Sequence, residues 1–273
     1  MQINQATLIN GSFNGVISAL DRGLAYGDGV FRTLKIINGI PVHWPLHYQK
    51  LVEDCSAIGI VCPSADLFMS DFSQLFVPDE PVSVAKIIMT RGEGERGYKP
   101  SPVASPLRVV TKSKLPDYPE SNFTEGVLLH VCDTRIGYQP KLAGVKHLNR
   151  LENVLARMEW SAPEVADGIM LDTEGNVIEC TSANVFARFD DLLVTPKLDL
   201  CGVAGITRMQ ILSHAHTLDL KTQIERIDLK TLLSADEVVL SNSIYGAWQV
   251  RSLANKTWGK QLLATKIREA ISV

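Results

Sequence analysis

The sequence predicts a two-domain α+β protein, and three observations carry that prediction. Its 273 residues, 45% of them hydrophobic, are enough to build two cores. Apolar runs of strand character and helical stripes are mixed along the whole chain, without repeats or low-complexity tracts. One polar stretch with two prolines, SKLPDYPES, interrupts them and is the best linker. The expected organisation is a small N-terminal domain over residues 1–112, a linker over 113–121 and a larger C-terminal domain over 122–273.

In the first domain, Gln2 to Ile9 reads as a strand ending in an Asn10-Gly11 turn. Val30 to Ile37 and Ile40 to Trp44 flank Asn38-Gly39, a two-residue hairpin signal. Pro45 then opens a helix whose apolar positions Tyr48, Leu51, Val52, Cys55 and Ile58 keep one buried face. A second helix is predicted over Ala65 to Phe76, and strands over Val82 to Thr90 and Leu107 to Lys112.

In the second domain, strands are predicted over Val127 to Thr134, Gly168 to Asp172, Val177 to Cys180, Val185 to Phe189, Leu192 to Thr195, Glu237 to Ser241 and Trp248 to Leu253. Helices are predicted over Gly205 to His216 and Lys260 to Ile271. Leu148, Leu151, Leu155 and Met158 recur at helical spacing, which predicts a further helix beginning close to Lys146 and burying one stripe.

Composition excludes several classes of function. The formal charge is -3, with no basic block of the kind that binds nucleic acid. Five cysteines without a CxxC pair disfavour a disulfide framework or zinc ribbon, and six histidines give no HExxH, so no metal site is expected. The opening MQINQATLINGSF has neither a charged n-region nor an apolar h-region, and no apolar run approaches the roughly 18 residues of a membrane span. The expectation is a cytoplasmic protein that binds neither membrane nor nucleic acid.

Lys146 is the residue that needs explaining, because a helix start disfavours a cation. Partial desolvation there favours the neutral amine, the form a Schiff-base lysine requires. A solvated surface lysine ahead of an amphipathic helix is the commoner reading of this stretch taken alone, and context has to shift the balance.

Five stretches supply the context: DRGLAYGDGVFRTLKIINGIP (Asp21 to Pro41), RGEGERGY (Arg91 to Tyr98), GVKHLNRLENV (Gly144 to Val154), GNVIECTSANVF (Gly175 to Phe186) and GVAGITR (Gly202 to Arg208). Together they resemble the class IV aminotransferases, the fold-type IV pyridoxal-phosphate enzymes, over nearly the whole chain. That resemblance implies a homodimer with pyridoxal 5'-phosphate at the domain interface. It also implies the roles: Lys146 for the imine, Glu179 against the pyridine nitrogen with Asn184 behind it, and Ile206, Thr207 and Ser243 for the phosphate. Thr207 fits a simple N-cap as well.

One position departs from the family pattern. The first helix of these enzymes usually carries H-x-x-R-L, whose arginine binds phosphate, whereas this chain reads His47-Tyr48-Gln49-Lys50-Leu51. Lys50 keeps the charge and loses the bidentate fork.

The KHLNRLE run and the RGY of the glycine-rich loop are most similar to family members that eliminate pyruvate from 4-amino-4-deoxychorismate to make 4-aminobenzoate for folate. Phe31 stands where members acting on amino acids commonly have tyrosine. Arg91, Arg96 and Tyr98 are the expected partners of the substrate carboxylates, with Asn242 near the substrate. Glu93 and Glu95 partly offset that field, and a solvated hairpin tip is the alternative for each loop residue. Of Arg32 and Thr33, which alternate on a strand, at most one faces the pocket, and Tyr26 is a weaker candidate. Lys146, Thr33 or Tyr98 is available to protonate the leaving group. The competing activity on the same scaffold is transamination of D- or branched-chain amino acids, and a noncatalytic cofactor carrier is the third reading.

Overall fold

The structure, a computed structural model, describes residues 6–78, 80–102 and 105–271. They divide into two compact units, residues 1–116 with 145–149 and residues 117–144 with 150–273. The second unit thus begins at Asp117, inside the predicted linker, and the short segment Val145–Asn149 returns to the first unit.

In the first unit, β1 (Thr7–Ile9), β2 (Gly29–Ile37), β3 (Ile40–Pro41), β4 (Val82–Thr90) and β5 (Leu107–Lys114) form an antiparallel sheet in the order β1-β5-β4-β2-β3. Residues 2–5 of the predicted first strand lie outside the described residues. Asn38 and Gly39 both have positive φ, 49° and 78°, as the tight hairpin turn requires. The longest pairing sets Gly29 opposite Thr90 and Ile37 opposite Val82, which sorts the side chains by period two. Val30, Leu34, Ile36, Ala85, Ile87 and Met89 are buried with Leu51 and Cys55 of α2 (Trp44–Ala57) and Phe68 and Phe72 of α3 (Ala65–Leu75). Each of those phenylalanines stabilises the unit by about 1.5–3 kcal/mol relative to exposure. The opposite face carries Phe31, Thr33, Lys35 and Lys86.

The predicted strand Ile40 to Trp44 stops at Pro41. His43 takes a left-handed conformation (φ 52°), and Trp44 starts α2, its ring 5.0 Å from that of Phe72. A short helix absent from the sequence reading, α1 (Arg22–Tyr26), is capped by Asp21, whose carboxylate accepts the Gly23 amide at 2.8 Å.

In the second unit, α4 (Ser121–Thr124), β6 (Val127–Ile136), α5 (Leu151–Arg157), β7 (Val165–Asp172), β8 (Val177–Cys180), β9 (Asn184–Phe189) and β10 (Leu192–Pro196) are followed by α6 (Ile206–His214), β11 (Lys221–Glu225), α7 (Leu229–Leu233), β12 (Glu237–Asn242), β13 (Gly246–Leu253), β14 (Lys256–Thr257) and α8 (Leu263–Ile271). The mixed sheet runs β11-β10-β9-β12-β13-β6-β7-β8, with β14 on β13. Its central strands are apolar on both faces. Val185, Ala187, Val238 and Leu240 enter one cluster, and Phe186 and Val239 enter another with Ile211 of α6 and Ile267 of α8.

The helix predicted to begin near Lys146 begins instead at Leu151, and its apolar stripe is not buried. Leu151 and Met158 are 69% and 75% exposed, and Ala156 is the buried residue of α5. The register fails because residues 145–149 are drawn out of helical geometry by pairing with β2. Among the described residues no helix is long and apolar enough to cross a membrane.

Candidate active site

Within the first unit, Lys146 belongs to a short extended segment laid along β2. The Phe31 amide donates to the Lys146 carbonyl and the Leu148 amide to the Gly29 carbonyl, both at 2.9 Å, with a bridge between Val30 and His147. Gly29 permits the approach, because a Cβ there would meet the Met89 carbonyl at 2.3 Å and Leu148 Cδ1 at 2.7 Å. The Lys146 amide also donates to Asp54 Oδ2 at 3.3 Å, and its Nζ sits 4.7 Å from the centroid of the Phe31 ring. Thr33 shares that face of β2, whereas Arg32 points into the core, where it pairs with Asp54. Lys50 pairs with the same carboxylate one helical turn away.

The loop from Arg91 to Tyr98 is organised by residues that motif reading left without a role. Buried Arg22 donates to the carbonyls of Gly97 and Tyr98, each at 2.9 Å, and to Asp28 Oδ2 at 2.8 Å. Arg91, read as a substrate ligand, is differently employed. Its guanidinium grips both oxygens of Asp28, at 2.7 and 2.9 Å, and donates to the Ile58 and Gly59 carbonyls. Burial would raise the Asp28 pKa, but the two guanidinium groups hold it below the ordinary carboxylate value. Arg96 is exposed, and Tyr98, 85% exposed, packs its ring 5.4 Å from that of Tyr26.

Within the second unit, Glu179 on β8 is buried, and its Oε2 accepts the Val203 amide at 2.8 Å. Asn184 spends both ends of its amide on the segment leading into α6, donating to the Val203 carbonyl at 2.8 Å and accepting from the Gly205 amide at 3.1 Å. It therefore sets the start of α6, where a helix leaves its first amides without intrahelical partners. Thr207 and Ser243 bring their hydroxyl oxygens to 3.4 Å of each other there, with Ile206 in the same first turn. Asn242 closes a turn, its Oδ1 accepting the Ile244 and Tyr245 amides at 2.9 and 3.0 Å and its Nδ2 donating to the Ser182 carbonyl at 3.3 Å. Asp167, overlooked in the sequence, anchors Thr181 and Ser182 through their hydroxyls, at 2.5 and 2.7 Å, and burial raises its pKa. Its only signal was a lone aspartate ahead of an apolar strand.

Taken unit by unit, the donors are of the kinds pyridoxal phosphate requires: the first unit offers a lysine amine beside an aromatic ring, and the second offers a buried carboxylate and two neighbouring hydroxyls with helix-start amides. Among the described residues no cluster suited to a metal ion occurs.

Comparison with known proteins gives a consistent result. A family profile described as amino-transferase class IV matches residues 29–253. An aminodeoxychorismate lyase of Vibrio harveyi is 37% identical over 86% of each chain. The crystal structure of 4-amino-4-deoxychorismate lyase from Pseudomonas aeruginosa superposes with a TM-score of 0.91 at 41% identity, covering 96% of this chain and 97% of that one. A PLP-bound hypothetical aminotransferase from Mycobacterium tuberculosis shares the fold at 19% identity, with a TM-score of 0.77 over 94% and 92% of the two chains.

Proposed function

The chain belongs to the class IV aminotransferase family, and on that premise we propose that it is a pyridoxal-phosphate-dependent lyase that converts 4-amino-4-deoxychorismate to 4-aminobenzoate and pyruvate. The likeness to two proteins named for that activity, each matched over most of both chains, carries the reading. Phe31 beneath Lys146 supports it, since this position offers no phenol hydroxyl to an amino-acid carboxylate.

Bound pyridoxal phosphate supplies an electron sink for a carbanion formed beside its aldehyde carbon. Lys146 would hold the cofactor, and its amine, when free, would take the proton from the substrate ring carbon that bears nitrogen. Glu179 keeps a proton on the pyridine nitrogen by its negative charge. The bond from the neighbouring ring carbon to the enolpyruvyl oxygen then breaks with its electron pair leaving on oxygen, the ring becomes aromatic, and the released enolate takes a proton at its methylene carbon to give pyruvate. Lys146 returns that proton, or the Thr33 hydroxyl on the same strand face supplies one. Lys50, Ile206, Thr207 and Ser243 hold the phosphate, and Arg96 and Tyr98 meet the substrate carboxylates.

The protein is further proposed to act as a cytoplasmic homodimer. The exposed apolar residues of α5, Leu151, Val154 and Leu155, with Met158 just past its end, support a partner surface.

The test is covalent trapping. Borohydride reduction of the yellow protein followed by peptide mapping should mark Lys146, and a label on another lysine overturns the assignment. Glu179→Gln should keep cofactor binding while turnover falls about 100-fold or more, as loss of transition-state electrostatics does. Wild-type turnover in that variant refutes its role.

A further inference from the structure

Asp54 in α2 is fully buried and pairs with two cations, Arg32 from β2 and Lys50 from its own helix. One carboxylate cannot neutralise both, so the cluster carries one surplus positive charge. Nearby groups do not remove it. His47 stays neutral, because burial, Arg32 and His43 press its pKa down to about 3. Glu53 is exposed to solvent and hydrogen-bonded to Gln49, and Lys35 lies on the opposite face of β2.

The two cations are not equivalent. Arg32 is 3% exposed, and its Nε, also buried, has no acceptor, so Asp54 is the carboxylate it depends on. The Lys50 side chain, 16% exposed, is the open member of the group. Without Arg32, Lys50 and Asp54 would form a neutral pair one helical turn apart and attract an anion weakly. With Arg32 sharing Asp54, Lys50 is only partly compensated.

Building on the reading of Lys50 as a phosphate ligand, we propose that Arg32, acting through Asp54, is a positioning residue that keeps Lys50 available to a phosphate dianion, and so sets this chain's preference for a phosphorylated cofactor. The arrangement replaces the missing arginine fork by a second, buried cation. Asp54 also accepts the Lys146 amide at 3.3 Å, which ties the anion cluster to the backbone of the amine-bearing residue.

The experiment measures binding of pyridoxal phosphate, pyridoxal and inorganic phosphate to the full-length protein freed of cofactor. Wild type, Arg32→Gln, Arg32→Lys and Asp54→Asn are compared by visible absorbance and calorimetry. Arg32→Gln should weaken pyridoxal phosphate and inorganic phosphate about 10-fold, a change of about 1.4 kcal/mol, and leave pyridoxal unchanged. Arg32→Lys should stay within about 3-fold of wild type, since it restores the charge. Asp54→Asn should bind inorganic phosphate more tightly, because two cations lose their internal partner, whereas a purely structural ion pair predicts no gain. An unchanged ratio of pyridoxal phosphate to pyridoxal affinity in Arg32→Gln, or weaker phosphate binding in Asp54→Asn, overturns the proposal. Should Arg32→Gln fail to fold, the other two variants decide. Phosphate binding with this variant dependence, in a protein that takes up no pyridoxal phosphate, upholds the anion site and overturns the cofactor reading instead.

Discussion

Two segments of the first unit carry its candidate functional residues outside regular secondary structure, and they are held in different ways. Val145–Asn149 is fastened through its own backbone to β2 and to Asp54, so the position of Lys146 follows from the sheet. The loop from Arg91 to Tyr98 is tied by backbone only near its start, where the Gly92 carbonyl accepts the Arg22 amide and the Gly94 amide donates to the Leu20 carbonyl. Its far end is held at the Gly97 and Tyr98 carbonyls by the Arg22 side chain, and Arg96 and Tyr98 stay exposed. A reacting amine gains from a fixed position, and a loop that meets an incoming dianion gains from access. The difference predicts that damage to the first segment stops the chemistry, while damage to the second weakens substrate capture.

The largest effect is expected from Lys146→Ala, which should fold, lose the borohydride-sensitive colour and lose activity by at least about 1000-fold. Retained turnover would dissolve the contrast at its stronger end. Next, Arg22→Met should lower kcat/KM by about 100-fold while leaving cofactor colour and affinity intact, because the Gly97–Tyr98 end of the loop loses its anchor. Colour lost together with activity would show that the two segments are not separable. Arg96→Ala should cost about 10-fold in kcat/KM, the loss of one charge-assisted contact.

The smallest effect concerns pH. The Asp28 pKa is depressed, so its contribution to loop order is fully present above the ordinary carboxylate value and is lost only as pH falls through its folded value. Hydrogen exchange at residues 92–98 should therefore be insensitive to Asp28 titration between about pH 5 and 8 and should loosen only under stronger acid. A loosening centred near neutral pH would contradict this role of Asp28.

Much of this organisation was legible in the sequence. The Asn38-Gly39 turn, the helix opened by Pro45 and the apolar strands of the second unit all follow from local pattern. The surroundings of Lys146 were not, because its partners Gly29, Phe31 and Asp54 lie far away in the chain and pairing with them overrides the helical spacing. Arg22 carries no local signal for the same reason, since the carbonyls it holds are 75 and 76 residues distant. β11, with the sequence KTQIE and four of its five residues exposed, offers no apolar alternation to read. For the site, motif resemblance named Lys146, Glu179 and Thr207, but the employment of Arg91 and Asn242 in fixed hydrogen bonds becomes apparent only once their partners are placed.

Lyase chemistry and transamination differ most directly in what happens to nitrogen. A transaminase leaves its cofactor aminated after one half reaction and stalls without a keto acid, whereas a lyase releases nitrogen on its aromatic product. The decisive measurement is turnover of 4-amino-4-deoxychorismate with no amino acceptor present. We expect many turnovers, equal amounts of 4-aminobenzoate and pyruvate, and no accumulation of pyridoxamine phosphate. A protein that makes no 4-aminobenzoate, stalls after one equivalent of D-alanine or leucine, and resumes when 2-oxoglutarate is added would contradict the account.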